Sequence, residues 1–199
     1  MPSRARPRSR RAARDFLDRI REVAGIVADV RLGAEWPGAD RLIVGHRIAP
    51  PSYRGQPVRL NNGMFLNIEI ALQINLTAQR LETTAATFTY QAGPDNDDPR
   101  PVFAYHYDKY SRSGYPRCHL HVHAAPQHYA GERSFSRLHL PTRRLTVEQI
   151  VWHLIQEHGV QPGRPDWHQV LWRHETWFRD TQRTKTWPYD PPFNPPASN

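Results

Sequence analysis

The chain of 199 residues carries a net charge of +8 and a single cysteine, Cys118. Its length allows one domain with a hydrophobic core, and the lone cysteine excludes an internal disulfide. It contains neither an apolar run of the roughly 18–20 residues that span a membrane nor the apolar segment of a secretory signal, so we expect a cytoplasmic protein.

The positive charge is concentrated at the N-terminus. Residues 1–14 contain no acidic side chain and six arginines: Arg4, Arg6, Arg8, Arg10, Arg11 and Arg14. The other 21 basic residues nearly balance the 19 acidic ones, so the rest of the chain has a net charge of +2. A flexible arginine segment binds phosphate backbones without sequence preference. We therefore expect 1–14 to be a basic arm that binds RNA, with a solvated extension of no function as the alternative.

Helical periodicity follows the arm. Apolar residues at three- and four-residue spacing predict an amphipathic helix over 12–31. A short strand is predicted over 41–48 and a loop over 50–63. Strict alternation of apolar and polar residues predicts a long strand over 66–76, with one buried and one solvated face, and a further strand over 81–90.

The second half of the chain continues with strands. We expect 102–109 and 118–124 to pair as a hairpin, and 138–140 to add a short strand. Thr146 and Gln149 have the spacing of a capping box, which predicts the start of a helix.

The pattern as a whole predicts an α+β fold. A last helix is expected after Asp166, and a proline-rich tail over 183–199. We expect a single domain over 15–182, in which an antiparallel sheet of about five or six strands packs against an N-terminal helix and two C-terminal helices.

Three histidines mark the candidate site. His119, His121 and His123 alternate with apolar residues, so on a strand they share one face. Neighbouring side chains on that face are about 6.6 Å apart, which allows two imidazole rings to approach one atom. Imidazole titrates near neutral pH and is the commonest metal ligand. The row therefore indicates proton transfer, a metal or a phosphate.

Three interpretations of this row are open. Two imidazoles can act as general base and general acid on RNA, with His106 and His139 as helpers and Arg143, Arg144 or Tyr107 holding the phosphate. Alternatively, they bind a divalent metal such as zinc, with a third ligand from His106, Asp108 or His139. In the third interpretation they are exposed polar residues on the solvated face of the sheet.

The segment His119-Leu120-His121-Val122-His123-Ala124-Ala125 resembles the signature of the histidine-triad nucleotide hydrolases. That resemblance implies that the middle histidine, His121, is the nucleophile on an α-phosphate. The chain departs from the family where Tyr115-Pro116-Arg117 replaces the expected glycine and glutamine or serine positions. It departs again in the two helices that follow the motif.

Residues 65–160 resemble the TumE-type toxins of bacterial toxin–antitoxin modules and related uncharacterised actinobacterial proteins. The segments that carry this resemblance are Tyr105-His106-Tyr107-Asp108, His119-Leu120-His121, Leu138-His139-Leu140-Pro141-Thr142 and Val147-Glu148-Gln149-Ile150. The resemblance implies a growth-inhibiting protein that acts on RNA and pairs with a helix-turn-helix antitoxin. It carries over no catalytic residue.

The leading hypothesis is thus a toxin-like protein that acts on RNA or nucleotides through the histidine row. A non-catalytic protein that docks a partner chain is one alternative. A metal-dependent or histidine-triad phosphohydrolase is the other.

Overall fold

The computed structural model describes residues 7–75, 80–96, 101–111, 116–122 and 139–181. They contain three helices, α1 (Pro7–Ala24), α2 (Val147–Glu157) and α3 (Trp167–Thr181). They also contain eight strands: β1 (Leu32–Glu35), β2 (Arg41–His46), β3 (Val58–Arg59), β4 (Phe65–Asn75), β5 (Arg80–Gln91), β6 (Pro101–Asp108), β7 (Cys118–Val122) and β8 (His139–Pro141).

All these strands belong to one antiparallel sheet, in the order β1-β2-β4-β5-β6-β7-β8, with β3 also paired to β4. The predicted α+β class, with one helix before the sheet and two after it, is confirmed. The sheet is larger than predicted because β1 and β3 were missed. They have four and two residues, too few for alternation to be recognised.

Helix α1 differs from the helix predicted over 12–31 at both ends. It begins at Pro7, a residue that the first turn of a helix tolerates, and it ends at Ala24, directly before Gly25. The basic segment 1–14 therefore overlaps the first two turns of α1. Ala13 within that segment is buried in the core.

The core lies between one face of the sheet and the three helices. Residues alternating along the central strands point to the helices and are buried: Leu42, Val44, Leu66, Ile68, Ile70, Leu72, Phe88, Tyr90, Phe103 and Tyr105. The helices contribute Ile20, Val23, Ile150, Val151, Leu154, Val170 and Leu171 to the same core. The other face of the sheet therefore points away from the helices.

Local contacts fix the start of α2 against the sheet. The Tyr105 hydroxyl accepts a hydrogen bond from the Leu145 amide (2.8 Å) and donates one to the Arg143 carbonyl (3.3 Å). The predicted capping box is present, because the Gln149 amide donates to the Thr146 hydroxyl and the Gln149 side chain accepts from the Thr146 amide. None of the helices in the described ranges has the length and apolar character of a membrane span.

Candidate functional site

The predicted hairpin of β6 and β7 brings histidines from two strands together. Its register pairs His106 with His119, and Ala104 with His121. Tyr105 lies between Ala104 and His106 and points to the helices, where it is fully buried. Because side chains alternate along a strand, His106, His119 and His121 all lie on the face that points away from the helices.

The three imidazole rings form one cluster. The ring centroids are 5.4 Å apart between His106 and His119, 5.0 Å between His106 and His121, and 4.9 Å between His119 and His121. The His106 and His119 rings are stacked, and His121 meets both edge-on. We call these three residues the histidine cluster.

Hydrogen bonds orient two of the rings. The His119 Nδ1 atom is 2.7 Å from the Pro116 carbonyl oxygen. Since a carbonyl only accepts, Nδ1 carries the proton in the neutral ring, and Nε2 is then the basic nitrogen. The Thr87 hydroxyl is 3.4 Å from Nδ1 of His106.

The cluster continues across the sheet as a row of polar residues. The strand registers place Glu69 of β4 opposite Thr87 of β5, and Thr87 opposite His106 of β6. The Glu69 carboxylate accepts a hydrogen bond from the Gly55 amide, 3.2 Å away. Sequence reasoning missed Thr87 and Glu69, because their proximity to the histidines depends on the register of three strands.

Of the two other predicted histidines, the structure describes only His139, by its position on a strand. His139 is the register partner of His121 on β8, as expected for a strand next to the histidine strand. His123 lies outside the residues that the structure describes.

Two of the predicted phosphate-binding residues, Arg144 and Tyr107, lie on the opposite face of the sheet from the histidine cluster. The Arg144 guanidinium lies over the Tyr107 ring at 4.7 Å and near the Phe178 ring of α3 at 5.5 Å. Tyr107 packs against the core, so Arg144 is on the helix-covered face of the sheet. Arg143 is exposed, and its carbonyl is bound by Tyr105.

The described residues do not assemble a metal site. No group of three histidine, cysteine, aspartate or glutamate side chains is placed to hold a metal ion within those ranges. Asp108, one of the predicted metal ligands, instead accepts a hydrogen bond from the Tyr110 amide at 2.9 Å.

Two titratable residues on the opposite face stay protonated at neutral pH. Burial raises the pKa of the Cys118 thiol and that of the Tyr105 hydroxyl. Cys118 is the register partner of Tyr107, is half-buried and packs against the core. Neither group is suited to accept a proton near neutral pH.

The chain matches no family model, no curated protein and no solved structure.

Proposed function

We propose that this protein is a toxin-like ribonuclease whose histidine cluster cleaves RNA by proton transfer. The observation that carries the proposal is the placement of three imidazole rings within 5.4 Å of one another on the face of the sheet that points away from the helices. Imidazole accepts and donates protons near neutral pH, which is the requirement for general acid–base catalysis of phosphodiester cleavage.

His119 is assigned as the general base, because its hydrogen bond to Pro116 gives Nε2 the lone pair. It removes the proton of a ribose 2′-hydroxyl as that oxygen attacks the phosphorus. His121 donates a proton to the departing 5′-oxygen. One P–O bond forms and one breaks, so the products are a 2′,3′-cyclic phosphate and a 5′-hydroxyl end. One proton is taken and one is given, and exchange with water restores both rings.

His106 is assigned a supporting role in this reaction. Its ring contacts both of the other rings, and its Nδ1 lies near the Thr87 hydroxyl. A protonated imidazole in that place stabilises the negative charge that develops on the phosphate oxygens. Arg144 lies on the other face of the sheet, and the assignment does not use it.

The biological setting rests on the resemblance to TumE-type toxins. It corresponds to a cytoplasmic growth inhibitor encoded beside a helix-turn-helix antitoxin that neutralises it. Expression of the protein alone should arrest growth, and co-expression of such a neighbouring gene product should restore it. Growth at the normal rate during expression of folded protein would contradict the toxin assignment.

The chemistry is tested with two fluorescent uridine oligonucleotides, one of ribose and one with 2′-deoxyribose at every position. The proposed reaction needs the 2′-hydroxyl, so only the ribose oligonucleotide should be cut, and its 5′ fragments should end in a 2′,3′-cyclic phosphate. Cleavage of both oligonucleotides would overturn the assigned mechanism. Cleavage of neither would overturn the proposed activity.

A further inference from the structure

A groove runs between α1 and the edge of the sheet at β1. It has a volume of about 510 Å³. Its apolar lining comes from α1, from β1 and β2, and from the turn between these two strands: Ala13, Leu17, Ala34, Trp36 and Leu42. The side chains of Arg10, Arg14 and Arg21 line it as well, and Asp18 is the single acidic residue among the described residues of the lining.

The arginines that line the groove lie along one face of α1. Arg10, Arg14, Leu17 and Arg21 are spaced by four, three and four residues, which places them in one row on a helix. Arg10 and Arg14 are exposed, and no ion pair links either of them to another described residue. Arg21 is engaged with Asp18 and with the Leu32 carbonyl. The groove therefore offers two cationic side chains to an external anion.

An aromatic residue stands beside these cations. Trp36 lies just after β1 and is 39% exposed, although tryptophan is usually largely buried. Single-stranded nucleic acids are held by positively charged grooves in which bases stack on exposed aromatic rings. Arginines and a tryptophan in one groove meet both requirements.

We infer that this groove binds single-stranded RNA, with Arg10 and Arg14 on the phosphates and a base stacked on Trp36. The choice of RNA over another anion rests on the proposed function. The groove is separate from the histidine cluster, because Ala34 and Leu42 belong to the helix-covered face of the sheet. It is also five strand positions from β7, or about 24 Å. It is thus a second RNA contact that holds the substrate outside the catalytic face.

The test measures binding of the full chain to a fluorescein-labelled 2′-O-methyl uridine 12-mer by anisotropy. This probe has no 2′-hydroxyl and is not consumed by the proposed cleavage. Trp36→Ala should weaken binding by about 5- to 150-fold, the range expected for the loss of one base stack. Trp36→Phe should restore part of the affinity, because it keeps an aromatic face.

Arg14→Glu should also weaken binding and reduce the slope of log affinity against log salt by about 0.7 per lost phosphate contact. Arg59→Glu is the matched control: Arg59 is exposed on β3, which pairs with the Phe65 end of β4, whereas Leu42 of the groove pairs with Leu72. This control should lower the affinity much less than Arg14→Glu.

Unchanged affinity in Trp36→Ala and Arg14→Glu would overturn the proposal that this groove binds RNA, whether or not the wild type cleaves RNA. A labelled oligoglutamate that binds in an Arg14-dependent way while the RNA probe does not would also overturn it, and would indicate an acidic protein partner. Loss of binding in the groove variants with no cleavage by the wild type would leave the groove standing and refute only the ribonuclease.

Discussion

His106 of β6 lies directly opposite His119 of β7, and their rings stack with centroids 5.4 Å apart. The register of the hairpin creates this contact, since the two residues are far apart in sequence. A slip by one residue would put Tyr105 or Tyr107 opposite His119. It would also turn the side chains of one of the two strands to the opposite face of the sheet. Whatever fixes this register therefore also fixes the candidate site.

Tyr105 connects this hairpin by hydrogen bonds to the segment that leads into α2. Tyr105→Phe removes the acceptor of the Leu145 amide and the donor to the Arg143 carbonyl, so we expect a loss of about 1–3 kcal/mol in the free energy of unfolding. Tyr110→Phe, at a side chain that is 56% exposed, is the control and should change it by less than about 0.5 kcal/mol. Urea denaturation of both variants measures the difference, and equal effects would contradict the role assigned to Tyr105.

Leu120 lies between His119 and His121 of β7 and points to the core. It is only partly buried, so Leu120→Ala should cost about 1–3 kcal/mol in the free energy of unfolding, less than the roughly 2–5 kcal/mol of a fully buried leucine. Leu66→Ala, at a site that is 2% exposed, should fall in the higher range. Thermal and urea unfolding of the two variants test this order. If Leu120→Ala lost more free energy of unfolding than Leu66→Ala, the Leu120 side chain would be more buried than the structure indicates.

A buried ion pair joins two of the helices. Arg19 Nε of α1 is 3.4 Å from Glu148 Oε1 of α2, and the two side chains are 6% and 0% exposed. Glu148→Gln leaves the arginine charge buried without its partner, so we expect a loss of about 3–5 kcal/mol. Adding Arg19→Met should recover most of that loss, because neither position of the pair then carries a charge. A double variant less stable than the single variant would contradict this reading of the pair.

Stability should fall as the pH drops below about 6.5, the ordinary value for histidine. Burial lowers the pKa of His153 and of His158, whose rings lie 5.1 Å apart beside Phe103; the charge of His153 lowers that of His158 further, and Glu157 opposes both shifts. Above that pH, His153 and His158 are neutral in both the folded and the unfolded chain, so they do not lower the free energy of unfolding. Below it the unfolded chain binds protons first, so the free energy of unfolding decreases until the folded rings are protonated.

This pH dependence is measured by urea denaturation at pH 7.5 and 5.5. His158→Phe keeps an aromatic ring against Tyr90 and removes one titrating group, so the difference between the two pH values should shrink. Tyr110→Phe, at an exposed site that carries no histidine, is the control and should leave the difference unchanged. Carboxylates affect the stability in a lower pH range. Hydrogen bonds from Lys109 and Arg80 hold the pKa of Glu82 at about 2, so the stability that Glu82 contributes is lost only below pH 4.5. If His158→Phe left the difference in stability between pH 7.5 and 5.5 unchanged, this pH dependence would not come from His158.

The long alternating strand, the β6–β7 hairpin and the capping box of Thr146 could be predicted because each has a strong local signal. The early start of α1 could not, since its first turns are rich in arginine and carry few apolar residues. The histidines of β7 could be predicted from alternation alone. Thr87 and Glu69 required the registers of β4, β5 and β6, which no local pattern encodes.

The placement of Arg144 shows a second limit. The sequence predicts that Arg144 helps to hold the phosphate at the histidines. The chain turns at 142–146 toward the helices, and the guanidinium packs over Tyr107 on the opposite face. Sequence proximity to a site did not determine the face of the sheet on which this side chain lies.

The most direct test of the histidine cluster is the rate of RNA cleavage by His121→Ala, measured with its melting temperature. The His121 side chain points away from the core, so the variant should melt close to the wild type, while its rate should fall by about 10²- to 10⁴-fold. His168→Ala is the matched control and should retain the wild-type rate. A His121→Ala protein that cleaves RNA at the wild-type rate, or a folded wild type that does not cleave it at all, would contradict the proposed function.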